Sequence, residues 1–136
     1  MRPLALTLGI ALALAGGSDG SVAPDPLAVY RGNSRILVVA APDVRDPGLL
    51  AQREALVPAR AGLRERDLVV VEAVGTGAEA SALRRRLGLP ERAFRAVLIG
   101  KDGGLKLTAT EPVAPERLFA TIDVMPMRRD EMRGSR

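Results

Sequence analysis

The first residues that could carry chemistry are Asp43, Arg45 and Asp46, which share the run Pro42-Asp43-Val44-Arg45-Asp46-Pro47. Asp46-Pro47 reads as an N-cap followed by proline in a first helical turn. A helix N-terminus offers free N–H groups and partial positive charge, so an anion could bind there with help from Arg45. The structural alternative is that Asp46 only caps the helix and its neighbours are solvated. Asp43, Asp46 or Asp102 could also act as acid or base, provided the fold gathers two carboxylates in one cleft and shifts their pKa values.

A second cluster is Met125-Pro126-Met127-Arg128-Arg129, where two flexible apolar side chains flank a rigid proline and two cations follow. Methionine adapts to irregular surfaces, so this segment could dock on a partner; alternatively it packs back on its own domain. Gly100-Lys101-Asp102-Gly103-Gly104 has the glycines of a phosphate-cradling loop but not the strand–loop–helix context, and reads better as a hairpin turn. Arg84-Arg85-Arg86 reads as a solvated helix face, and Arg66-Asp67 as a helix-end charge followed by a strand start.

What is missing narrows the chemistry further. The 136 residues include no Cys and no His. Thiolate nucleophiles, disulfides and sulfur ligands for zinc or iron are therefore excluded, and the side chain best suited to proton transfer near neutral pH is absent. No dense Asp/Glu loop of the calcium-binding kind is visible, so neither metal nor cofactor is expected. The net charge is +4, but the 16 acidic residues are interspersed with the basic ones. Aromatics amount to 2%, too few for a base-stacking platform, so nucleic acid is not an expected partner.

The amino terminus resembles an export signal: Met1-Arg2-Pro3, an uncharged apolar run from Leu4 to Ala15, and the small-x-small pattern Ala13-Leu14-Ala15. The run is short for a membrane span. Residues 1–15 are thus expected to be a signal peptide, 16–26 a Gly/Ser-rich linker, 27–132 one domain and 133–136 a tail. The protein is expected in the periplasm or outside the cell, with no membrane span once the signal is removed.

The elements that must position these residues follow from the apolar pattern. Arg35 to Ala41 is a continuous apolar run fitting a strand buried on both faces, and Asp67 to Val74 reads as a second buried strand. Between them Leu49, Leu50, Leu56 and Leu63 recur at roughly helical spacing, with Pro58 placed to kink or split the helix. Glu79 to Leu87 reads as a short helix stopped by Gly88, and Phe94 to Gly100 and Leu105 to Ala109 as a strand hairpin. Pro115 to Asp123 reads as a last helix, ended by Met125-Pro126. Two buried strands separated by a helix imply a parallel pair. The expectation is a three-layer α/β/α fold with a mixed four-stranded sheet in the order β-α-β-α-β-β-α, the thioredoxin-like order.

Four runs carry a family resemblance: Arg35 to Pro42, Arg66-Asp67, Gly100 to Gly104 and Ile122 to Arg129. They resemble the bacterial domain-of-unknown-function family 4174, which is similar to the thioredoxin and peroxiredoxin superfamily and to domains of some animal extracellular-matrix proteins. The resemblance implies a thioredoxin-like fold and an exported location, and transfers no catalytic role. Redox thioredoxins carry Cys-x-x-Cys after the first strand and a cis-proline directly before the third. Here the first segment is Pro42 to Pro47, the second Ala93-Phe94-Arg95, and Pro90 comes too early. The expected function is a non-catalytic binding module, not a thiol oxidoreductase. Its expected partner is a protein or anionic ligand of the cell envelope. A cysteine-independent enzyme and an Arg-driven polyanion binder are the alternatives.

Overall fold

The computed structural model describes residues 24–134, so the expected signal peptide, most of the linker and the end of the tail lie outside the described residues. The continuous apolar run forms strand β1 (Arg35–Ala41), buried along its whole length. Leu37, Val39 and Ala41 face one core, while Ile36, Val38 and Ala40 face another. A strand apolar on both sides needs a cover on each, and the remaining helices supply it.

Helix α1 (Pro47–Leu56) starts at Asp46, whose carboxylate accepts the Leu49 N–H at 3.0 Å. Pro58 splits the helical segment as its missing donor requires: a 3₁₀ turn (Val57–Ala59) intervenes before α2 (Arg60–Glu65). Strand β2 (Leu68–Val74) pairs with β1 in parallel. Helix α3 (Ala78–Leu87) ends at Gly88, whose φ of +66° gives the left-handed conformation that glycine adopts without strain. Strands β3 (Arg95–Ile99) and β4 (Leu105–Ala109) form the hairpin, and β3 runs antiparallel to β1. The sheet order is β2-β1-β3-β4. Helix α4 (Pro115–Asp123) follows, then α5 (Pro126–Gly134).

Leu49, Leu56, Leu63, Leu118 and Ile122 bring α1, α2 and α4 onto one face of the sheet. Ala80 and Leu83 of α3, together with Leu27, cover the other. The fold is thus the three-layer α/β/α arrangement with a mixed four-stranded sheet.

Three expectations need correction. Strand β2 is not buried on both faces: it is an edge strand, Val70 is 38% exposed, and the exposed Glu72 carboxylate pairs with Arg53 of α1. Arg84 does not belong to a solvated face. It is 4% exposed and donates hydrogen bonds to the carbonyls of Gly75, Ala41 and Ala73, which gather at the carboxyl ends of β1 and β2. Pro126 ends the preceding helix, as expected, but it also opens α5, because proline has no N–H to lose in a first helical turn. That helix continues past Met132 to Gly134.

Candidate functional site

The two clusters singled out in the sequence lie at opposite ends of the sheet. Asp43, Arg45 and Asp46 follow the carboxyl end of β1, where Ala40 pairs with Arg95. Asp102 lies in the β3–β4 turn, at the end where Ile36 pairs with Ile99. The 7 residues of β1 separate these ends, about 20 Å at the usual rise per residue. Asp102 therefore lies apart from Asp43 and Asp46.

At the end near Asp43 the loop's carboxylates are tied to its own backbone. Asp43 accepts its own loop's Arg45 N–H at 2.8 Å, Asp46 caps α1, and the Arg45 side chain stands in solvent. Phe94, directly before β3, lays its buried ring on the first turn of α1: a Cβ on Gly48 would sit 2.7 Å from its Cγ. Phe94 is thus the residue directly before β3, the place in the chain where redox members carry a cis-proline. None of the described peptide bonds is cis.

The opposite pole holds a network of ion pairs. Arg35, 1% exposed, donates from Nη1 to the Arg66 carbonyl at 2.8 Å, and from Nη1 and Nη2 to the two Glu131 carboxylate oxygens at 3.2 Å. Lys101 Nζ donates to Glu131 and to Asp67, both at 2.8 Å. Asp67 has a φ of +49°, a left-handed conformation that aspartate tolerates better than most residues. Arg66 binds Asp123 with two prongs, at 3.0 and 2.9 Å, and its guanidinium lies 4.0 Å from the Phe119 ring centroid. Arg128 donates to Asp123 at 3.0 Å and to Glu65 at 2.5 Å.

These contacts set the local titration. The Asp123 carboxyl is held below its ordinary value by the Arg66 hydrogen bonds, with burial opposing and Arg128 adding to the effect. Burial pushes the Glu131 carboxyl up, and the bonds from Arg35 and Lys101 more than offset it, so the net shift is downward. For Lys101, burial lowers the pKa, and bonds to Asp67 and Glu131 reverse that into a net rise. Asp123, Glu131 and Lys101 are therefore charged near neutral pH.

Beside this network opens a cavity of about 240 Å³. Met125, Pro126 and Met127 form its apolar wall, and Arg35, Gly100, Lys101, Asp102 and Lys106 complete it. Met127 is 47% exposed. Lys106 is placed by a bulge: Leu98 pairs with Leu107 and Ile99 with Leu105, leaving Lys106 without a register partner. Its stem lies across Gly100, where a Cβ would come within 2.7 Å of Lys106 Cε. The Gly100–Gly104 segment is a hairpin turn, closed by the Gly100 N–H to Gly104 carbonyl bond at 2.9 Å.

Of the Met125–Arg129 cluster, then, Met125, Pro126 and Met127 line the cavity. Arg128 does not face a ligand; it is 5% exposed and bolts α5 to α2 and α4, because two carboxylates lie opposite it. Arg129 is exposed. Sequence reasoning missed Arg35, Lys106 and Glu131 as site residues. One signal was available: the four runs carrying the family resemblance all contribute to this one pole. Among the described residues no group of three or more Asp or Glu side chains could hold a metal ion, and no helix is long and apolar enough to cross a membrane.

Sheet order, layers and the helix following β1 define a thioredoxin-like α/β domain, here without sulfur at the position where thioredoxins react. A reduced 2-Cys peroxiredoxin from Plasmodium vivax has a similar fold, with a TM-score of 0.54 at 12% identity over 76% of this chain and 84% of that one. By sequence the chain belongs to the family described as Domain of unknown function (DUF4174), which it matches over residues 26–131. It is also similar to the sushi repeat-containing protein SRPX of Homo sapiens and of Rattus norvegicus, 35% and 34% identical over 112 residues. Those segments cover 72% of this chain but 24% of each relative, so the chain spans about a quarter of their length.

Proposed function

We propose that this protein is an exported, non-catalytic thioredoxin-like binding module that grips a protein partner at the pole formed by Met125, Pro126 and Met127. The observation that carries this reading is the cavity of about 240 Å³ whose apolar wall is exposed beside an internally paired charge network. Partly exposed methionines at the mouth of a pre-formed cavity suit an adaptable apolar contact. The ion pairs hold that wall in place before any partner arrives, which lowers the ordering cost of binding.

Two observations favour this reading over its alternatives. Asp102 lies at the opposite end of the sheet from Asp43 and Asp46, and those two are tied to the Arg45 and Leu49 N–H groups. The cations gathered at this pole are used internally: Arg35, Arg66 and Arg128 face carboxylates, and Lys101 faces Glu131 and Asp67. A polyanion binder needs those cations free. Export is read from the apolar run and small-residue pattern at the amino terminus.

The test is capture from an envelope extract by the immobilised protein and two variants. Met127→Glu places a charge in the apolar wall, and Arg45→Ala alters the other end. A partner retained by wild type and Arg45→Ala but lost with Met127→Glu supports the reading. Loss with Arg45→Ala alone contradicts it.

A further inference from the structure

The charges around the cavity say what kind of apolar group it suits. We infer that the pole binds the carboxyl-terminal residue of a protein partner, with an apolar side chain against Met125–Met127 and the terminal carboxylate on Lys106. This rests on the proposed role of the cavity as the binding site.

Size is the first argument. At about 240 Å³ the cavity falls below the roughly 300–1,000 Å³ typical of pockets for drug-sized ligands, and suits one side chain with its backbone. Charge is the second. Arg35, Lys101 and Lys106 line the cavity against a single carboxylate, Asp102. Arg35 is fixed by Glu131, and Lys101 by Glu131 and Asp67. Lys106 is different. It meets Asp102 at 3.0 Å in an exposed pair four residues apart, of a kind that contributes little to stability. Asp102 has a second tie, because its other oxygen accepts the Gly104 N–H at 2.8 Å. The Lys106 ammonium can therefore turn to an incoming carboxylate without stranding a buried group.

Residue choice is the third argument. Lysine occurs in this chain only at 101 and 106, within a total of 20 Lys and Arg residues. Both line this cavity. A lysine ammonium is a compact charge on a flexible stem, able to swing between two acceptors where a guanidinium prefers a fixed fork. A terminal residue carries carboxylate and apolar side chain on one carbon, matching the adjacency of Lys106 and the methionine wall. An internal Asp or Glu brings the charge without the apolar group.

The test uses the full chain, processed as the cell processes it, with methionine methyl groups labelled for NMR. The probes are the peptide Gly-Ser-Gly-Leu as free acid and as carboxyl-terminal amide. The expected result is that the acid shifts the Met125 and Met127 methyl signals and binds about tenfold more tightly than the amide, as one charge-assisted contact allows. That preference should shrink with added salt and vanish in Lys106→Gln, whose Met125 and Met127 methyl signals, unchanged without peptide, report an intact fold. Equal binding of acid and amide overturns the carboxylate inference while leaving the apolar site standing. Failure of both peptides to move either methyl overturns the inference and the proposed site together.

Discussion

Arg35 and Glu131 stand 96 positions apart in sequence, yet their side chains meet in a two-pronged ion pair with both N–O distances at 3.2 Å. The pair joins the first residue of the central strand to the last helix, and Lys101 extends it to the hairpin turn. Helix α5 has little apolar surface to bury, and Arg128 is its buried residue. Charge pairing, more than hydrophobic burial, therefore docks the helix that follows the Met125–Met127 wall.

Glu131→Gln should cost about 2 kcal/mol. Breaking a buried ion pair costs about 3–5 kcal/mol, and Glu131 falls short of that because its side chain is 27% exposed. Arg35, at 1% exposure, cannot recover the lost partner from solvent. Urea denaturation of the variant against wild type measures the difference, and an unchanged midpoint would show that α5 is held by something else.

Acid should weaken the protein through the same groups. Asp123 and Glu131 both have lowered pKa values in the folded state. Such groups contribute stability that is fully present above their unfolded values, about 3.9 and 4.3, and is lost as pH falls through the lower folded values. The urea midpoint should stay level down to about pH 5 and drop below about pH 4. The drop should be shallower in Glu131→Gln, and identical slopes would remove these carboxylates from the explanation.

Gln52→Leu should destabilise by about 3 kcal/mol. The Gln52 amide acts as a piece of backbone, donating to the Val113 carbonyl at 2.9 Å and accepting the Val113 N–H at 2.8 Å. Leucine fills the volume but leaves two buried backbone groups unpaired. Chemical denaturation gives the value, and a loss below the error of the method would mean that the 110–114 loop finds other partners.

Gly48→Ala should destabilise by about 1–3 kcal/mol, because its methyl would press on the Phe94 ring. Phe94→Leu in the same chain should return part of that loss, giving a double-mutant coupling energy. Additive losses would mean that the ring does not lie against Gly48 as described.

The legible parts of the sequence were those where local pattern and tertiary setting agree. Arg35–Ala41 is apolar throughout and lies at the sheet centre; Pro58 splits its helix and Gly88 ends another. Strand β2 misled because Val69, Val70 and Val71 look the same on an edge as in a centre, and only the strand order exposes Val70. Arg84 could not be told from Arg85 and Arg86, since its burial depends on carbonyls that the fold brings from Ala41 and Ala73. Helix α5 lacked the apolar period that reveals a helix, being held by ion pairs across the chain. The cavity was present in the sequence only as separate runs. Nothing in their spacing says that Lys106 and Met127 share a wall.

Photo-crosslinking in living cells is the most direct trial of the binding pole. A benzoylphenylalanine replacing Met127 should capture a discrete partner on illumination, whereas the same group replacing Val44, exposed at the other end of the sheet, should capture none. A partner caught from position 44 and not from 127 would contradict the account.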